Sequence, residues 1–214
     1  MQILIEISEN LQKGKARVVK QLVEQALAEG IAAADILQKG LMPGMDVIAD
    51  KFTKNEVYVP EVLIAARAMS QGSELLKPHL DTASTVIGKA VIGTVKGDLH
   101  DIGKNLVRMM LEGKGIEVID LGVDISPEQF LAAFQEHDAD VVALSALLTT
   151  TMGEMANTVK IFEEAGLRDK AVVMVGGAPV TQHFCNEIGA DIYTADAASA
   201  AEAAKQAILA KKAA

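Results

Sequence analysis

The chain has 214 residues, half of them hydrophobic, with a formal charge of −9 and aromatics at only 3 %. That is ample material for a packed core, but the charge argues against a general binder of nucleic acid or anionic membrane, which needs clustered Lys and Arg. The single Cys185 excludes an internal disulfide and any multi-cysteine zinc or iron–sulfur site.

The opening MQILIEISENLQKGK alternates apolar and acidic residues, without the basic start and unbroken apolar core of a signal peptide. No uncharged apolar run is long enough to span a bilayer, so a cytoplasmic protein is expected. Residues 1–80 read as helices. In ARVVKQLVEQALAEG the apolar Val18, Val19, Leu22, Val23, Ala26 and Leu27 recur at helical spacing, and Gly30 supplies the stop. Stretches 32–38, 45–52 and 61–76 follow as further helices, broken at Pro43–Gly44 and over 55–60, with Pro60 in a first turn. Short amphipathic helices of this kind make a small bundle. The polar, small-residue stretch 81–88 reads as a linker.

From residue 89 to 214 the rhythm becomes strand, loop, helix. Strands are expected over 90–95, 117–120, 141–145, 172–175 and 191–193, with helices near 103–113, 127–136, 150–165, 180–188 and 197–211. The alternation gives a doubly wound parallel sheet of five strands. Ligands of such sheets bind outside the carboxyl ends of the strands where the strand order reverses. In a flavodoxin-like order that is between the first and third strands.

The first strand runs out into GTVKGDLHDIGKNL. His100 stands two residues after Asp98, within reach of a carboxylate that can bind one imidazole nitrogen and leave the other as a fixed, basic metal ligand. Gly97 and Gly103 relieve crowding around the pair. The third strand ends in VVALSALLTTTMG, bringing Ser145 and Thr149 toward that loop, and the fourth ends at Gly176–Gly177, a wall without side chains.

These residues carry a resemblance. DLHDIG fits the DxHxxG signature of corrinoid-binding domains, and Ser145 with Gly176–Gly177 extends the match. EVYVPEVLIAARAM, over 56–69, resembles the helical cap that precedes this domain in cobalamin-dependent methionine synthase. The whole chain resembles the stand-alone corrinoid proteins of methanol, methylamine and methoxyaromatic methyltransferase systems. The resemblance implies a helical cap followed by a Rossmann-like cobalamin-binding domain, and a methyl group shuttled on cobalt between partners, with no catalysis by the chain alone. It implies that His100 is the axial cobalt ligand, with Asp98 and then Ser145 hydrogen-bonded behind it as the catalytic set. Gly97, Leu99, Asp101, Ile102 and Gly103 would contact the corrinoid beside them. Ser145, Leu147, Thr149, Gly176 and Gly177 would line a channel for its nucleotide tail, with Ala197 nearby. Tyr58, Val62 and Met69 would cover the methyl-bearing face, core packing being the alternative for the last two. The implied partners are a substrate-specific methyltransferase, a second methyltransferase to tetrahydrofolate or coenzyme M, and a reductive activation protein.

Rival readings fare worse. Ser145 lies in LSALL, not in the GxSxG elbow of a hydrolase, and neither GxGxxG after the first strand nor GxxxxGK[ST] anywhere is present. A receiver domain would want an Asp where Ser145 stands. A cobalamin storage or delivery protein, or the cobalamin subunit of a radical mutase, is the alternative within corrinoid chemistry. Asp124 and Ser126 read as the start of the helix after Pro127.

Overall fold

The computed structural model describes residues 2–80 and 86–213, so most of the expected 81–88 linker lies outside the described residues. The chain divides into two compact units. One holds the residues up to Val86 with Gly113–Gly115, the other Ile87–Glu112 and the residues from Ile116 on.

The first unit is helical. Its helices are α1 (Gln2–Gln12), α2 (Ala16–Ala28), α3 (Ala33–Ile36), α4 (Met42–Thr53) and α5 (Val59–Leu76). The opening stretch, which alternates in sequence, is a helix because Ile3, Leu4, Ile7 and Leu11 fall at helical spacing and are the residues it buries. Pro43 and Gly44 do not break the chain as expected. A π-helical turn, Leu37–Leu41, joins α3 to α4 without interruption. A proline lacks an N–H and crowds the carbonyl four residues earlier, and a wider turn before it relieves both problems. α5 starts where Pro60 predicts, with the Tyr58 backbone N–H donating to the Glu61 carboxylate at 3.0 Å.

The second unit is a five-stranded parallel sheet of β1 (Gly88–Thr94), β2 (Ile116–Asp120), β3 (Val141–Ser145), β4 (Val172–Gly176) and β5 (Ile192–Tyr193), ordered β2-β1-β3-β4-β5. The helices α6 (Ile102–Gly113), α7 (Pro127–His137), α8 (Gly153–Glu164), α9 (Gln182–Glu187) and α10 (Ala197–Ala213) alternate with the strands. The strands are nearly continuous runs of Val, Ile, Ala and Leu because both faces of the sheet are covered. One face packs Val91, Val142 and Val173 beneath α7 and α8, where Phe134 meets Phe162 edge to face at 5.2 Å between ring centres.

Register then places the site. Thr94, the last residue of β1, lies opposite Ser145, the last of β3, and Ser145 lies opposite Gly176, the last of β4. Three strands thus end side by side at the point where the sheet, having grown from β1 to β2, turns back to β3. Pairing continues one step past β1, where Val95 bridges Ile125 of the loop after β2.

Candidate functional site

The loop leaving β1 carries Asp98 and His100. The Asp98 side chain has no exposed surface, while that of His100 is 51 % exposed. His100 Nδ1 lies 2.6 Å from Asp98 Oδ1, which also accepts the His100 backbone N–H at 3.1 Å. The other carboxylate oxygen, Oδ2, accepts from the backbone N–H groups of Leu147 (2.7 Å) and Leu148 (3.1 Å) and from the Thr151 hydroxyl (3.0 Å). One buried carboxylate therefore ties the β1 loop to the loop after β3.

The electrostatics follow from those bonds. Burial pushes the Asp98 carboxyl up, but the bonds from the His100 ring, the Leu147 N–H, the His100 N–H and the Leu148 N–H outweigh it. They hold the group well below the usual carboxylate range. An ionised carboxylate only accepts, so the proton between the two side chains sits on Nδ1 and the Nε2 lone pair is left available.

The expected partner behind Asp98 was Ser145, and here the structure corrects the sequence. Among the described residues no hydrogen bond joins Ser145 to Asp98, and Thr151 makes that contact. Ser145 ends β3 with its backbone committed to the sheet: its carbonyl accepts from Val95 N–H at 3.0 Å. The chain turns between these two residues, and that turn carries Thr151, not Ser145, under the carboxylate. The run Thr149–Thr150–Thr151 was the visible signal, but Thr149, the member singled out, is exposed on the loop.

The remaining expected residues fall as follows. Gly97 has φ +80°, a conformation that suits glycine, and its N–H donates to the Asp124 carboxylate at 2.7 Å. Asp124 thus braces the β1 loop, whereas Ser126 alone caps α7. Leu99 and Ile102, flanking His100, are 72 % and 77 % exposed, and Leu147 and Leu148 are also exposed. Asp101 and Gly103 are exposed at the start of α6. Gly176 ends β4 with open space where a side chain would stand. Gly177 has φ +128°, and a Cβ there would lie 1.8 Å from the carbonyl oxygen of Ala146. No other residue fits. Ala197 is buried at the first position of α10. In the helical unit Val62 and Met69 are buried in the bundle core and Tyr58 is exposed.

The donor set fits a metal that a macrocycle already holds. Among the described residues no group of three or more His, Cys, Asp and Glu could hold a metal. A single outward imidazole beside exposed Leu99 and Ile102 suits an apolar ring that already supplies the equatorial ligands. Among the described residues, too, no helix is long and apolar enough to cross a membrane.

Comparison with known proteins agrees. Residues 88–205 match the profile of the B12 binding domain, and residues 4–77 match a second B12 binding domain profile. The chain belongs to this family. It is similar to dimethylamine corrinoid protein 3 of Methanosarcina acetivorans, with 39 % identity over 208 residues and 97 % of each chain covered. Trimethylamine corrinoid protein 2 of the same organism is 37 % identical over 210 residues, again with 97 % of each covered. Among solved structures, the methanol:cobalamin methyltransferase complex of Methanosarcina barkeri aligns with a TM-score of 0.88 and 30 % identity, covering 97 % of this chain and 80 % of that one. A cobalamin-binding protein from Desulfitobacterium hafniense aligns with a TM-score of 0.78 and 30 % identity, covering 95 % and 98 %. This chain shares the family's two parts, helical region first and parallel sheet second.

Proposed function

We propose that this chain is the corrinoid-carrying subunit of a methyltransferase system, accepting a methyl group from one methyltransferase partner and presenting it to another. When bound, the corrinoid supplies the chemistry, its cobalt taking up and releasing the methyl group. The observation that carries the reading is the half-exposed imidazole of His100, held through Nδ1 by the buried Asp98 carboxylate.

The protein's own contribution is to control that imidazole. Asp98 holds Nδ1, so that Nε2 is the nitrogen that would hold the cobalt. The same carboxylate would keep the ring oriented toward the cobalt of a bound corrinoid. Leu99 and Ile102, exposed on either side of His100, would contact the corrinoid. Ser145, Leu147, Thr149, Gly176 and Gly177 would border the tail, because the loops after β3 and β4 leave those positions small or open.

The names of the relatives point to methylated amines or methanol as donors upstream of the partner enzyme. The further partners we infer are a second methyltransferase acting on tetrahydrofolate or coenzyme M and a reductive activation protein, in the cytoplasm. A storage or delivery role, or a place in a radical mutase, has no observation in its favour.

The test is the visible spectrum of protein mixed with hydroxocobalamin and desalted, alongside His100→Ala. The wild type should retain the corrinoid with a spectrum that the variant changes. Colourless wild-type protein would remove the proposal.

A further inference from the structure

His100 has four polar groups, and three of them are tied within the protein. The ring Nδ1 and the backbone N–H both bind Asp98. The backbone carbonyl accepts a hydrogen bond from the Thr94 hydroxyl at 2.8 Å. Thr94 has no exposed surface. As the last residue of β1 its backbone is also committed: its N–H donates to the Gly122 carbonyl and its carbonyl accepts from the Ile125 N–H, both at 3.0 Å. A buried hydroxyl at the end of a central strand, its backbone tied to the loop after β2, thus holds the main chain of His100, six positions along.

We propose that Thr94 is a positioning residue for the His100 imidazole: its hydroxyl fixes the His100 backbone, so that the ring that would hold the cobalt is presented from a fixed main chain. The inference rests on the corrinoid reading above. Asp98 holds the ring directly and is itself tied to the loop after β3. Thr94 supplies the second, independent anchor, and it belongs to the sheet. Without that bond the main chain of the exposed Leu99 and His100 would be freer, and that freedom would compete with ligation.

Removing the hydroxyl should lower the ratio of ligated to unligated protein by what one hydrogen bond is worth, about threefold to tenfold. The experiment uses full-length protein labelled with [15N]histidine and loaded with hydroxocobalamin, then reduced by one electron to cobalt(II). Electron paramagnetic resonance separates a protein imidazole, whose 15N splits each line into a doublet, from the cofactor's own base, whose 14N gives a triplet. Thr94→Val should lower the doublet fraction relative to wild type, and Thr94→Ser should restore it. If the Val variant does not accumulate, Thr94→Ala against Thr94→Ser poses the same question, since both lack the methyl group and differ only in the hydroxyl.

A wild-type doublet with equal fractions in the hydroxyl-bearing and hydroxyl-free variants overturns the role of Thr94 and leaves the corrinoid reading standing. A wild type with no 15N doublet overturns the ligand assignment itself.

Discussion

At the scale of single residues the site turns on Asp98, which takes five hydrogen bonds while fully buried. Asp98→Asn should be costly, because an amide nitrogen would face donors and leave buried N–H groups unpaired. The ligand-free protein should lose about 3 kcal/mol, read from urea denaturation. An unchanged midpoint would mean that the carboxylate does not hold the two loops. Thr151→Val should cost about 1 kcal/mol, with Thr151→Ser close to wild type in the same assay. Sequence reading reached Asp98 and His100 because a spacing of two is a local fact. It missed Thr94 and Thr151, since those contacts depend on the path of the chain between the strand ends, which no spacing records. It named Ser145 in place of Thr151 for the same reason.

Between elements, the link of α6 to β2 is the polar interaction to test. Lys104, one turn into α6 and only 3 % exposed, donates to both Asp120 oxygens at 2.6 and 2.7 Å. It also donates to Asn105 Oδ1 at 2.9 Å. Burial pushes the Asp120 carboxyl up, but the bonds from Lys104 and the Gly122 N–H prevail and hold it below its ordinary value. The folded state therefore binds the proton less readily than the unfolded chain. The resulting stability is complete above the ordinary carboxylate range and is lost as pH falls through the lower folded value. Asp120→Asn should accordingly cost roughly 3 kcal/mol at neutral pH by stranding a buried ammonium, and the variant's denaturation midpoint should fall less on acidification than the wild type's. Equal acid sensitivity would show that Asp120 is not the responsible group. Gly177→Ala should cost at least about 2 kcal/mol, because the loops after β3 and β4 would have to part around its methyl group. The alternation of strands and helices was plain from apolar runs, as β3 and β4 illustrate. Pro43 misled, because a π-helical turn absorbs a proline without ending the helix.

For the molecule as a whole, a ligand that binds only the folded state raises its stability by mass action. Hydroxocobalamin at a hundredfold excess over its dissociation constant should add about 2.7 kcal/mol. For a chain of this size that is roughly 5–10 °C in Tm, and His100→Ala should show a smaller rise. No shift in the wild type by differential scanning calorimetry would contradict binding. The topology was legible at this scale because right-handed crossovers and strand alternation leave few arrangements of five parallel strands. The helical region's role was not: burial of Val62 and Met69 and exposure of Tyr58 required coordinates.

Asp98 grips the loop after β3 through the main-chain N–H groups of Leu147 and Leu148, and both of those side chains face solvent. Every residue except proline offers the same N–H. Mutation at these two positions can therefore change the exposed surface of the loop after β3 without loosening its frame. Sequence can drift there at little cost in folding, while Asp98 and Thr151 stay fixed.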